Sequence, residues 1–192
     1  MAQVLKEDIR QRIYAAAVEE FYSKDYRNAT IRAIAKRAEV PLGLVYTYYK
    51  NKQALLSAIV EPIFAMIKET MEKAENSNFH SAFENFEKIE FGMFLDLFEK
   101  RKELIILIDK SSGTEYGNAK ETIINLTETH IKKSHQNKDI PVFNDFLVHI
   151  WANSLIEGMF EIIRHCTDRK SAEKMMELVA RQYYYGIEGL ND

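Results

Sequence analysis

Thr30-Ile-Arg-Ala-Ile-Ala-Lys-Arg-Ala-Glu-Val-Pro-Leu-Gly-Leu-Val-Tyr-Thr-Tyr-Tyr-Lys-Asn-Lys52 is the stretch on which the fold turns. Thr30 stands where an N-cap belongs, and Ile31, Ile34, Ala35 and Ala38 follow it at helical spacing. The pattern predicts a short helix over about 31–38. Glu39-Val40 is a tight connection. Pro41 then opens a second short helix over about 41–48, because its missing N–H is an orphan at that position anyway. Val45 and Tyr49 lie i, i+4 on this second helix and so face inward together. Two short helices joined by so tight a turn form a helix-turn-helix unit.

Outward from this unit the period stays helical. Ile9, Ile13, Ala16, Ala17, Val18 and Phe21 outline an amphipathic helix over about 6–23, broken at Lys24–Ala29. Asn51 is a plausible N-cap for a long helix over about 52–75, in which Leu56, Ile59, Ile63, Ile67 and Met71 recur. Pro62 inside it removes the bond to the Ala58 carbonyl, so a kink is expected there. Further helices are expected over about 79–100, 102–110, 115–136, 141–165 and 169–188. Asn76-Ser77-Asn78, Ser111-Ser112-Gly113 and Asn137-Lys138-Asp139 read as loops. No segment reads as a strand, and 7 Gly and 3 Pro in 192 residues are too few for the turns a sheet protein needs. The expected fold is all-α, with a helix-turn-helix domain at 1–52 and a larger helical domain at 53–192.

The stretch from Ile13 to Ile59 resembles the N-terminal domain of the TetR family of repressors. The resemblance rests on the Ala-Ala pair and Phe21 of the first helix, Tyr26, Thr30, Ile34-Ala35-Lys36-Arg37-Ala38, Val40, Gly43, Val45-Tyr46, Tyr49, Lys52 and Leu55-Leu56. It implies a double-stranded DNA operator as partner. Physical reasons single out the contact residues. Gly43 has no side chain to keep a phosphate or base edge from its backbone. The Tyr46 phenol reaches a phosphate oxygen, Thr47 and Tyr48 follow on the exposed side, and Leu42 and Leu44 suit thymine methyls. Lys52 at a helix start favours a phosphate by charge and by the helix N-terminus. Thr30, Arg32, Lys36 and Pro41 complete the expected set. The family's usual Ser before the recognition helix is Pro41 here, its basic or polar second position is Leu42, and its frequent His is Tyr48. Because no Lys or Arg lies between Pro41 and Tyr49, bidentate guanine readout from this helix is absent, which leaves the operator sequence open.

Charge fits this division. Residues 1–52 hold ten Lys/Arg against six Asp/Glu, and residues 53–192 hold sixteen against twenty-three, so a basic head precedes an acidic body. The single cysteine, Cys166, fits a reducing, cytoplasmic location. No apolar run approaches the ~18 residues a membrane helix needs, and the opening MAQVLKEDIRQR lacks the apolar core of a signal peptide. No membrane partner is expected.

In the TetR family the remainder of the chain holds a ligand pocket and a dimer interface. The helix over about 141–165 is apolar on almost every side (Phe146, Leu147, Ile150, Trp151, Leu155, Ile156, Met159, Phe160), which asks for burial on more than one face. The helix over about 169–188 adds Met175, Met176, Leu178, Val179 and Tyr183. Together they suit a homodimer interface, with Trp151, Met159, Met175 and Tyr183 as candidates; burial wholly inside a larger core is the alternative. Aromatic and Met residues around a few polar groups suit a pocket for an unknown hydrophobic or aromatic effector. The expected lining is Phe64, Met66, Phe91, Phe94, Phe98, Ile105, Phe146, His149, Trp151 and Asn153, with Asp109 as a polar anchor. Phe79, Phe83, Phe86 and Met93 are available on the same segment as Phe91. His80, His130, His135, His149 and His165 lack the His-x-x-x-His and Glu-x-x-His spacings of helical metal sites. Asp145, His149, Asn153, Glu157, Glu161 and His165 recur at i+4, a row that drifts around the helix and shares no one face. No cofactor, metal or catalytic motif is expected. Three classes remain: a ligand-released repressor, a ligand-independent DNA-binding architectural factor of the same fold, and a helical carrier or metal bundle.

Overall fold

A computed structural model describes residues 2–77, 82–135 and 145–188. Among them the regular structure is all helical: α1 (Ala2–Asn28), α2 (Ile31–Arg37), α3 (Leu42–Tyr48), α4 (Lys52–Glu75), α5 (Ala82–Asn85), a π-helical turn (Phe86–Glu90), α6 (Phe91–Glu99), α7 (Arg101–Asp109), α8 (Ala119–His135), α9 (Asp145–His165) and α10 (Arg169–Glu188). The expected loop at Asn137–Asp139, the first residues of the helix expected from about 141, and Phe79 and His80 lie outside the described residues. Two compact units form. One comprises Met1–Phe64 with Lys102–Ala119, the other Ala65–Arg101 with Lys120–Asp192. The first unit thus runs past residue 52 and takes in most of α7, and α4 passes from one unit into the other.

In the first unit, Ile13, Ala17 and Phe21 of α1 are fully buried, as are Ile34, Val45, Leu55, Leu56 and Ile59. The i, i+4 spacing of Ile13, Ala17 and Phe21 puts them on one face of α1, and that of Leu55 and Ile59 puts them on one face of α4. α1 is longer than its apolar pattern, and Asp25 interrupts it at φ 67°. With ψ at 173°, this is a backbone conformation that favours glycine, held here by the surrounding structure. The Asp25 carboxylate accepts from the Asn28 N–H at 2.9 Å and so caps the separate last turn. Glu20 is buried with Lys24 at 2.8 Å and Arg37 at 3.6 Å around its carboxylate. α8 starts at Ala119 rather than near 115, because successive turns bonded Ser111 to Thr114, Thr114 to Gly117 and Tyr116 to Ala119 occupy that stretch.

In the second unit, α9 and α10 pack closely at Gly158, where a Cβ would lie 3.3 Å from Val179 Cγ1. Asp168 caps α10 by accepting from the Ser171 N–H at 2.9 Å. Buried Asn85 fixes the entry to the π turn: its amide donates to the Ala74 carbonyl at 3.0 Å and accepts from the Ser77 hydroxyl at 2.9 Å. One sequence expectation is corrected here. α9 is long and apolar enough to meet the length and composition of a membrane-crossing helix, its best window averaging a hydropathy of 1.3. Residues such as Val148, Ala152, Leu155, Phe160 and Ile163 are buried within the unit, so core packing accounts for much of that apolarity.

Candidate nucleic-acid interface and buried cavity

The helix-turn-helix is built by local chemistry. Thr30 Oγ1 accepts from the Ala33 N–H at 3.1 Å and caps α2. α2 ends in a Schellman pair, Val40 N–H to the Ala35 carbonyl at 3.0 Å and Glu39 N–H to the Lys36 carbonyl at 3.2 Å. Glu39 adopts φ 54°, a position that favours glycine. Arg12 of α1 compensates: its guanidinium donates to the Ala38 carbonyl at 2.6 Å and the Glu39 carbonyl at 3.0 Å. Sequence reasoning missed Arg12, since its partners lie 26 and 27 residues away.

Val45 (0% exposed) and Tyr49 (8%) anchor α3 from its inner face, as expected. The outer face presents Pro41, Leu42, Gly43, Tyr46 and Thr47, all exposed, with Arg32 and Lys36 exposed on α2. Leu44 is half-buried. Tyr48 turns away from this face and donates its hydroxyl to the Lys6 carbonyl at 3.1 Å. A Cβ built at Gly43 meets nothing within 4 Å, so packing within the protein does not require glycine there.

The structure gives the Lys52 ammonium partners within the chain. Its ammonium donates to the carbonyls of Tyr26 at 2.7 Å, Ala29 at 3.0 Å and Arg27 at 3.4 Å. It also sits 4.4 Å from the centroid of the Tyr26 ring. Lys52 therefore ties the start of α4 to the end of α1.

The second unit holds a largely apolar cavity with about 50 Å³ of free space. Phe86, Phe94, Met71, Met93, Met159 and Met176 line it, with Glu90, Thr127, His130, Tyr183 and Tyr184 as its polar groups. Of the expected lining Phe94 is present, together with Phe86 and Met93 from the same segment. Phe91 meets Phe86 edge to face and stacks on Phe94 from outside the lining. Phe98 is buried beneath Arg101. Met66 and Asn153 are half-buried elsewhere, and Phe64 and Ile105 belong to the first unit. Asp109 is exposed, Phe146 is 71% exposed, and exposed His149 pairs with Glu128 at 2.6 Å. Trp151 lines a separate surface groove between α9 and α10, with Gly158, Val179 and Gly186. Two dimer candidates are likewise used internally, since Met159 and Tyr183 both face the cavity.

Within the cavity His130 Nε2 lies 3.4 Å from Glu90 Oε1. Burial alone would lower the imidazole's pKa, but the Glu90 contact and the charges of Glu90 and Glu75 outweigh it and the opposing Lys133, so the net shift is upward from 6.5. A raised folded-state value means the charged pair stabilises fully below the ordinary value and loses that contribution as pH rises through the shifted one. Urea unfolding between about pH 6 and pH 9 should therefore show the wild type losing stability relative to His130→Gln. Parallel curves for the two proteins would refute this assignment. Burial, with the Glu90 charge second, raises both Tyr183 and Tyr184, so both phenols stay protonated.

Fold and site define a class: an all-helical protein with an N-terminal helix-turn-helix and a cavity-bearing helical unit. Residues 13–59 match the family of bacterial regulatory proteins named tetR. Over 68 residues the chain is 31% identical to an HTH-type transcriptional regulator of Haemophilus influenzae, covering 35% of this chain and 36% of that protein. The chain thus matches about a third of the length of its curated relatives. The MbdR regulator of Azoarcus sp. CIB shares the fold at a TM-score of 0.71 and 19% identity, over 93% of this chain and 98% of that one. FadR of Bacillus subtilis, solved in complex with stearoyl-CoA, shares it at 0.63 and 21%, over 92% and 98%. Residues 13–59, the helix-turn-helix part of the chain, are thus similar to that family, and nearly the whole chain shares the fold of the solved regulators.

Proposed function

We propose that this chain is a homodimeric, cytoplasmic transcriptional regulator that binds a palindromic DNA operator through α3 and leaves it when a small hydrophobic molecule fills the second unit's cavity. The carrying observation is the α3 helix itself. It is anchored by buried Val45 and Tyr49 and exposes a face of Pro41, Leu42, Gly43, Tyr46 and Thr47 beside Arg32 and Lys36. Such a face, pressed into a major groove in each of two copies, reads half-sites about 34–36 Å apart or a multiple of that. The FadR neighbour's stearoyl-CoA supports a ligand role for the second unit. The connection between them is α4, which begins at Lys52 and supplies Ile67 and Met71 to the cavity. Pro62 inside α4 leaves one helical bond unmade and so gives the helix a place to bend. A ligand moves the equilibrium only if it binds the operator-incompetent conformation more tightly.

The test pairs operator selection from a random DNA pool with a glycine substitution. Gly43→Ala should leave folding intact or add up to about 1 kcal/mol of helix stability, since the methyl meets open space. It should nonetheless weaken operator binding by about tenfold or more, because the methyl stands where DNA must approach the backbone. Undiminished operator affinity in Gly43→Ala would place the DNA contact elsewhere. A wild-type protein without salt-dependent DNA binding would end the regulator reading altogether.

A further inference from the structure

Given a ligand cavity in the second unit, we propose that its ligand is a lipophilic primary amine. Its ammonium sits against Glu90, Tyr183 and Thr127, and its apolar body lies among the methionines. This inference rests on reading that unit as a sensor, and it names the class of molecule sensed.

The cavity holds buried polar atoms that lack hydrogen bonds. Glu90 Oε1, His130 Nδ1 and the Tyr183 hydroxyl are buried in the cavity lining without a hydrogen bond of ordinary geometry, and the charged neighbour of Glu90, His130 Nε2, stands off at 3.4 Å. A buried polar group left unsatisfied costs about 1–3 kcal/mol, so a ligand that satisfies Glu90 Oε1 and the Tyr183 hydroxyl gains what the free protein forgoes. Thr127 also lines the cavity. Its hydroxyl proton is committed to the Ile123 carbonyl at 3.0 Å, which leaves its oxygen free to accept. The site thus offers a carboxylate, a phenol oxygen and a hydroxyl oxygen as acceptors. A primary ammonium carries three donors and no acceptor and matches that set. An alcohol has one proton to give. A carboxylate has none, and it would face the Glu90 carboxylate, with the one basic side chain of the lining, His130, already set against that carboxylate at 3.4 Å.

The rings agree with the charge. Tyr183 and Tyr184 meet edge to face at 4.9 Å, and Phe86 lies 5.6 Å from Tyr184, so aromatic surface surrounds the acceptors. Ring faces attract a partly desolvated cation. Phe86 and Glu90, at the two ends of the π-helical turn, are both in the lining. Such turns place side chains that a straight helix would not. The free space of about 50 Å³ holds a few water molecules and no more. Ligand entry therefore needs the walls to move, and Met71, Met93, Met159 and Met176 are unbranched side chains suited to that.

The test titrates the full chain calorimetrically with n-octylamine, 1-octanol and octanoate, which share one chain length and differ in the head. Octylamine is expected to bind about tenfold or more tightly than octanol, with octanoate weakest. Glu90→Gln should weaken octylamine by about tenfold and leave octanol nearly unchanged. Tyr183→Phe keeps the ring and removes the unpartnered hydroxyl. It should weaken octylamine without lowering Tm, and it decides the matter if Glu90→Gln proves unfolded. Equal or tighter binding of octanol or octanoate, unchanged amine affinity in these variants, or no binding by any of the three overturns the proposal. Amine binding that leaves operator affinity unchanged would keep the ligand class and overturn ligand-driven release instead.

Discussion

Leu178→Arg combined with Tyr185→Glu is expected to convert the protein from dimer to monomer and to reduce operator affinity by about 10²–10⁴-fold. The reason lies on α10. Met175, Leu178 and Tyr185 are 45%, 51% and 52% exposed, and with Gln182 they recur at +3, +4 and +3, one continuous stripe along the helix. On α9, Phe146 at 71% and Ile150 at 42% are also exposed. Apolar residues in a stripe mark a surface that gains by being covered. A second copy of the same stripe makes a self-complementary two-fold contact. A dimer engages its second half-site at an effective concentration near millimolar, and a monomer loses that gain. The two positions are exposed, so the monomer itself should lose no more than about 0.5 kcal/mol at each. Sedimentation and operator titration of both proteins check the claim. A double variant that stays dimeric, or a wild type that is monomeric at micromolar concentration, would place the interface elsewhere.

What the sequence made legible was local in chain. Thr30, the Glu39-Val40 turn and the Val45–Tyr49 pair act over three or four residues, and the structure has each where the spacing put it; Pro41 falls one position earlier than expected, as the N-cap before Leu42. Arg12 was illegible because its two carbonyl partners arrive from a different helix. Glu90 and His130 failed the test of i+3 and i+4 partners for the same reason: they meet from the π turn and from α8. The cavity shows a further limit. A run of aromatics from Phe83 to Phe98 reads as one straight helix, in which each residue turns the helix by about 100°. The π turn at Phe86–Glu90 adds a residue to one turn and rotates everything after it. Phe94 faces the cavity while Phe91 and Phe98 do not, and composition carries no trace of that shift.

Lys52 offers the sharpest contrast between the two readings, because they predict different experiments. As a phosphate contact, Lys52→Met would leave Tm unchanged and reduce the salt slope of operator binding by about 1 per protomer. As the tie observed here, it should do the reverse. Hydrogen bonds from a charged donor contribute about 1.5–3 kcal/mol each in favourable cases, and Lys52 makes two good ones and a longer third. Some of the freed carbonyls regain water, but Ala29 is only 1% exposed, so its carbonyl is poorly placed to do so. Methionine keeps the stem against Tyr26 and loses only the charge and its donors. A loss of about 2–3 kcal/mol is expected, which is a fall in Tm of roughly 4–12 °C for a chain of this size. Well below that lowered Tm, the variant should bind its operator with the wild-type salt slope. The α1 to α4 tie would then act on DNA only by holding the helix-turn-helix in shape. An unchanged Tm with a shallower slope would show that the ammonium leaves its three carbonyls for a phosphate when DNA arrives.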